Sequence, residues 1–318
     1  MSASLQTRPA QPACQWTRGV LALPDPFRLE SGEVLDRAQL AWQCAGPTHA
    51  PLVIVLGGIS AHARCCAPDG SGWWESQCGN GRALDTRHYR LLGVDWLGGA
   101  DASSPGCGAR ISSGDQARAL LLLINRLGVR LVHLLVGASY GGAVAQHLAV
   151  LLGARLRHLV LLCAAHRSSA YARALRHVQR AILDQGGDSQ LALARQLAIL
   201  GYVTAPEIES RFPDVDAVVP WLARHGDKFA ARFTVDAYRC LGASLDTHRI
   251  DPATVRAPTT LFGVREDVLV PPALLREYAA RAPHCEYVEI SSIHGHDAFL
   301  KEEASVGKTL RNALGEAA

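Results

Sequence analysis

Residues 134–153, LLVGASYGGAVAQHLAVLLG, limit the fold more than any other stretch of the chain. An apolar run ends in Gly137-Ala138-Ser139-Tyr140-Gly141-Gly142, and a small-residue helical pattern follows directly. A strand that turns at once into a helix leaves little room at the corner. Side chains two residues before or after Ser139 would collide with the elements being joined, and glycine at 137 and 141 removes them. The segment therefore predicts a strand–turn–helix unit that lifts Ser139 above the edge of a sheet. At that position the helix dipole and free N–H groups favour negative charge.

The remaining chain suits such a unit. Short apolar runs recur at 51–58 (PLVIVLGG), 88–96 (HYRLLGVDW), 131–137 (LVHLLVG), 156–164 (LRHLVLLCA), 258–264 (PTTLFGV) and 285–290 (CEYVEI). Several are apolar almost throughout, as strands covered on both faces of a parallel sheet are. Helical patterns alternate with them. Residues 112–128 offer Ser113 as N-cap, Gln116 three residues on and Gly128 as a stop, and residues 271–283 start and end at prolines. This alternation predicts an α/β fold with a doubly wound, mostly parallel sheet. Residues 166–245 break the rhythm. They are rich in Ala, Arg, Leu and Gln at helical spacing, which predicts a helical lid inserted into a core made of 19–165 and 246–318. Residues 1–18 are polar and proline-bearing, the pattern of a flexible leader.

Composition narrows the partners. With 48% hydrophobic residues, 19% charged residues and a net charge of +3, the 318-residue chain can bury a large core. It shows no basic stripe interleaved with aromatics, which argues against nucleic-acid binding. Its apolar runs are broken well short of the ~18 residues that a membrane span needs. Nine cysteines are scattered without a CxxC pair, so neither a zinc site nor a redox pair is expected, and a reducing cytoplasm is.

Gly-x-Ser-x-Gly between a strand and a helix is the nucleophile-elbow pattern, with the Tyr140 N–H placed to form half of an oxyanion hole. A serine hydroxyl needs a base to take its proton and a carboxylate to orient that base, in the chain order Ser, acid, His. Asp267, just beyond the run at 258–264, is the candidate acid, with Glu266 beside it as rival. His296, in the loop after the last strand, is the candidate base, with His294 two residues away. The loop VLGGISAHARCC (55–66) should supply the second oxyanion donor, with the Ile59 N–H favoured.

Several separated segments then carry a resemblance. They are GWWESQCGNGRALDTRHYRLLGVDWLGG (72–99), GASYGG at the elbow, LALARQLAILGY (191–202), WLARHGDKFAARFTVDAYRCLGASLDTH (221–248) and SSIHGHDAFL (291–300). Together, in order and over most of 50–310, they resemble the homoserine O-acyltransferase family of the α/β-hydrolase superfamily. The resemblance implies an α/β-hydrolase fold with Ser139 as nucleophile, Asp267 as acid and His296 as base. It also implies that Arg195 grips an amino acid's carboxylate and that Asp297 holds its ammonium. It implies ping-pong acyl transfer from an acyl-CoA co-substrate, no bound cofactor or metal, a homodimer built through the lid, and a place in methionine biosynthesis. Where acetyl-transferring members tend to show Leu-Thr-Gly, GGISAHA looks more like the Gly-Leu-Ser of succinyl-transferring relatives. That points to homoserine O-succinyltransferase, with Arg64 as a candidate partner for the succinyl carboxylate. Acetyl-CoA as donor, serine as acceptor, or ester hydrolysis by the same triad are the alternatives.

Overall fold

The computed structural model describes residues 14–106, 108–187 and 189–315. Ten strands run along them: β1 (Trp16–Ala22), β2 (Phe27–Arg28), β3 (Val34–Leu35), β4 (Gln39–Ala45), β5 (Leu52–Leu56), β6 (Arg90–Val94), β7 (Val132–Ala138), β8 (Leu159–Leu162), β9 (Thr259–Val264) and β10 (Cys285–Ile290). Eight form one sheet in the order β1-β4-β6-β5-β7-β8-β9-β10, and β2 pairs with β3 apart from it. Pairings from β6 to β10 are parallel, while β1 and β4 run antiparallel at one edge.

The inner strands read as unbroken apolar runs because both faces are covered. Leu52, Ile54 and Leu56 of β5 point into one core cluster, with Leu159 and Leu161 of β8. Val53 and Val55 point into the other, with Val160 and Leu162. Helices α1 (Ser113–Arg126) and α2 (Tyr140–Leu152) pack on the first face through Leu120, Leu123, Val144 and Leu148. Each such fully buried aliphatic side chain contributes about 1.5–3 kcal/mol relative to exposure. Five helices intervene between β8 and β9: α3 (Ala170–Asp184), α4 (Gln190–Tyr202), α5 (Ala205–Arg211), α6 (Val218–Ala230) and α7 (Val235–Thr247). Helices α8 (Pro272–Arg281), α9 (Ala298–Lys301) and α10 (Glu303–Leu314) are the last of the described residues' helices. None of the described helices is long and apolar enough to cross a membrane.

Strand β5 is the topological switch. The chain leaves it on one side to form β6 and returns on the other to form β7. The loops that follow β5 and β7 therefore part above the sheet and open a crevice at the strands' carboxyl ends. Gly57 and Gly58 lie on one bank of it, and Ser139 on the other.

Two expectations are corrected here. The leader expected over 1–18 overlaps a strand, because Trp16 already pairs with Ala45 in β1; residues 1–13 lie outside the described residues. This edge strand alternates between half-buried and exposed positions, so it carries no apolar run to mark it. Helix α1 is capped by Ser112 rather than Ser113. The Ser112 hydroxyl accepts from the Asp115 N–H, and the Asp115 carboxylate accepts from the Ser112 N–H. Ser113 instead bonds His248 at 3.0 Å, and Gln116 is tied to the backbone of Leu97.

Candidate active site

The elbow is as tight as its glycines require. Ser139 has φ 53° and ψ −117°, a conformation that non-glycine residues adopt only when their surroundings impose it. Four backbone bonds do so: Ser139 N–H donates to Leu162, Gly141 N–H to Gly57, and the N–H groups of Gly142 and Ala143 donate to the Ser139 carbonyl. A Cβ on Gly137 would lie 2.6 Å from the Gly141 carbonyl oxygen, and one on Gly141 would lie 2.2 Å from that of Leu56. Both obstacles are backbone, so neither can swing aside. Gly141→Ala should therefore destabilise the fold by about 3 kcal/mol, the upper end of ordinary overpacking. The check is a lowered denaturant midpoint at unchanged slope. In Gly242→Ala, where an added Cβ meets nothing within 4 Å, stability should hold or rise, since alanine is the better helix former.

Asp267 and His296 reach the serine from separate loops. Asp267 follows β9, and its Oδ1 accepts from the N–H groups of Leu269 and Val270, both at 2.9 Å. Its Oδ2 lies 2.7 Å from His296 Nδ1, and His296 Nε2 lies 2.9 Å from Ser139 Oγ. The carboxylate thus fixes the proton on Nδ1 and leaves Nε2 to accept the serine proton. Burial of His296 disfavours its cation, but the Asp267 charge opposes this with a smaller contribution from Asp297, and the pKa is raised overall. The rivals are occupied elsewhere. Glu266 accepts from the Ser291 hydroxyl and the Ser292 N–H, and His294 Nδ1 lies 3.2 Å from Glu207. An array of this kind can activate the hydroxyl as a nucleophile and return the proton to a leaving group.

Above the array lies a cavity of about 250 Å³, lined by Ser139, His296, Asp297, Ile59, Arg195 and Tyr202 among others. Tyr140 opens α2, so its N–H has no helical acceptor. Its side chain points the other way, buried against Trp96 and bonded to Ser244 Oγ at 2.9 Å. Trp96 Nε1 in turn donates to the Gly58 carbonyl at 3.0 Å, which steadies the loop carrying Ile59. Arg195 comes from α4. Its guanidinium lies 4.6 Å from the Phe229 ring centre and 5.1 Å from that of Tyr202, and among the described residues it makes no ion pair. Aromatic faces hold the cation in place without neutralising it. Asp297 is half-buried, and its nearest cation, Lys301, stands 3.7 Å away. One cation without an ion-pair partner among the described residues and one anion only loosely paired with Lys301 therefore border the same space as the serine.

Comparison with known proteins gives this geometry its relatives. A profile of the alpha/beta hydrolase fold matches residues 51–303. The homoserine O-succinyltransferase of Xanthomonas campestris is 39% identical over 316 aligned residues, covering 93% of this chain and 84% of its own. The chain belongs to the homoserine O-acyltransferase family of α/β hydrolases. The homoserine O-acetyltransferase of Deinococcus radiodurans is 33% identical, covering 89% of this chain and 88% of its own. The crystal structure of homoserine O-acetyltransferase from Staphylococcus aureus superposes with a TM-score of 0.86 at 28% identity, over 96% of this chain and 97% of that one.

One site residue that the family resemblance suggested is out of place. Arg64 is exposed and does not line the cavity. The Ala63 N–H beside it donates to the Asp95 carboxylate at 2.6 Å, and Ala63 itself is buried. The arginine that sequence reasoning missed is Arg176 of α3. It lines the cavity with its Nε on Asp246 and Nη2 on Ser168. Arg180 shares Asp246, so this pair of guanidiniums exceeds its counter-charge. No motif marked Arg176 among the arginines of the insertion; only the turn of α3 selects it. Cys163, at φ 49° after β8, also borders the cavity and went unremarked in the sequence.

Proposed function

We propose that the protein is a homoserine O-succinyltransferase, moving a succinyl group from succinyl-CoA to the side-chain hydroxyl of L-homoserine. The observation that carries this reading is that Ser139, His296, Arg195 and Asp297 line one cavity, with Asp267 buried behind His296. A free amino acid is a zwitterion. The Arg195 fork suits its carboxylate and the Asp297 carboxylate suits its ammonium, and together they would aim the hydroxyl at an acyl group on Ser139.

The reaction is ping-pong. Ser139 Oγ attacks the thioester carbonyl while His296 Nε2 takes its proton, and the N–H groups of Tyr140 and Ile59 receive the oxyanion. The carbon–sulfur bond breaks, and His296 returns the proton to the CoA sulfur. Homoserine then enters, His296 removes its hydroxyl proton, and the oxygen attacks the acyl carbon. Collapse of the second tetrahedral intermediate frees the product ester and gives Ser139 its proton back. No step calls on a metal or a bound cofactor.

The succinyl donor is supported by the name of the Xanthomonas relative and by Arg176, which lines the cavity and shares the single Asp246 carboxylate with Arg180; the surplus positive charge of that pair would meet the far carboxylate of a succinyl chain. Exposed apolar side chains on the insertion, including Leu193, Leu200, Val215 and Val219, support a homodimer joined there.

Mass spectrometry of the protein mixed with succinyl-CoA or acetyl-CoA, without acceptor, tests the donor. Succinyl mass on the Ser139 peptide is expected, and acetyl mass alone would assign the other donor. Arg195→Ala should lower kcat/KM for homoserine by on the order of 10²–10³-fold, as loss of one partner of a desolvated charge pair does, with a far smaller effect on acylation. If the acyl-enzyme discharges to water at the same rate with and without homoserine, the protein is an esterase.

A further inference from the structure

We infer that Glu207 is a positioning residue: it draws Lys301 away and so keeps the Asp297 carboxylate free for the ammonium group of the acceptor. This rests on Asp297 being that group's partner, as proposed above.

Lys301 stands four residues after Asp297, a spacing at which an acid and a lysine ordinarily pair across one helical turn. Here that ion pair is present but loose, and the tighter one goes to Glu207. Lys301 Nζ lies 3.7 Å from Asp297 Oδ2 but 2.7 Å from Glu207 Oε1. Lysine closed onto Asp297 would place a resident ammonium where the substrate's ammonium has to sit. The two are chemically alike, so the protein's own side chain would compete with the acceptor at every turnover.

Glu207 belongs to α5, in the helical insertion, yet its carboxylate is only 3% exposed. Burying a carboxylate so far is costly unless cations meet it. Two cations do, Lys301 and Arg211, both donating to Oε1, and the His294 ring lies 3.2 Å from Oε2. Of these three groups, Lys301 and His294 come from the segment that also carries His296 and Asp297. Thr204 at the start of α5 bonds the Ile293 carbonyl and fixes the helix against that segment. The acceptor's anionic partner and the residue that unburdens it thus sit on different parts of the chain, and Lys301 lies between them.

Kinetics of the full-length chain with saturating acyl-CoA and varied L-homoserine test this. Glu207→Gln should raise the acceptor KM about tenfold, the size expected when a partly buried charge pair is exchanged, and leave the rate of acyl-enzyme formation unchanged. Glu207→Gln combined with Lys301→Met should bring KM back to the wild-type value, because no lysine remains to occupy Asp297. A merely structural contact would not be rescued by deleting its partner. Should Glu207→Gln fail to fold, Lys301→Met alone decides: an acceptor KM at or below wild type supports the inference, and a raised one overturns it. Asp297→Asn separates the two readings. If it raises KM but the double variant is not rescued, the Glu207 inference falls and the proposed function stands. If it leaves KM unchanged, Asp297 does not hold the acceptor and both fall.

Discussion

Ser139→Ala and His296→Ala should each lower kcat for acyl transfer by on the order of 10⁴–10⁶-fold, and combining them should cost little more than either alone. The reason is the 2.9 Å contact between Oγ and Nε2. A hydroxyl at neutral pH attacks a thioester only as its proton leaves, and an imidazole with nothing to deprotonate contributes little. Each group needs the other, so the second deletion has almost nothing left to remove. CoA release measured on the two single variants and the double variant gives the cycle directly. Losses that multiplied would mean that His296 acts on something other than Ser139. All three variants should bind homoserine much as the wild type does, since Arg195 and Asp297 are untouched. The loss falls on the chemical steps, in which Ser139 carries the acyl group and His296 moves the proton in both halves of the reaction.

Much of this was legible because the chemistry is held by backbone constraints that leave marks in the sequence. Glycine at 137 and 141 is demanded by contacts under 3 Å with backbone atoms, so the elbow could be read before any fold was known. The parallel strands could be read because burial on both faces removes alternation. Asp267 and His296 could be placed because each follows a strand whose end faces the switch point. The choice of Asp267 and His296 over Glu266 and His294 was made from position and family resemblance, and its physical reason was not legible. It depends on Ser291, Ser292 and Glu207 drawing those side chains aside, and no short-range pattern records such partnerships. Strand β1 was lost for a similar reason: an edge strand half open to solvent needs no apolar run. Arg64 was misplaced because residue type shows charge but not direction. Its loop borders the cavity, yet its own side chain is exposed.

Asp267→Asn should lower kcat by about 10⁴-fold and shift the pH profile to lower pH. Asp267 Oδ1 is held by two backbone N–H groups, so an asparagine would keep its oxygen there and turn its NH₂ toward His296 Nδ1. Two donors cannot face each other. The imidazole would have to accept at Nδ1 and carry its proton on Nε2, where it can no longer take one from Ser139. The pH dependence follows from the sign of the wild-type shift. Burial pushes the His296 pKa down, but the Asp267 carboxylate outweighs it, leaving the value above the usual figure of about 6.5. A base must be neutral to act, so wild-type kcat/KM should climb with pH through a midpoint above that figure. Without the Asp267 carboxylate burial outweighs the smaller contribution of Asp297, so the midpoint should fall below it. Stability moves with the same linkage. A raised folded-state pKa adds stability that is full below the unfolded value and fades as pH rises through the folded one. The wild type should therefore lose this increment on going from mildly acidic to alkaline solution. The asparagine variant should lack it, with the opposite trend at acid pH as its buried ring resists protonation. A kcat/KM midpoint that stayed in place in the variant would show that the titrating group is not His296, and the assignment of the base would fall with it.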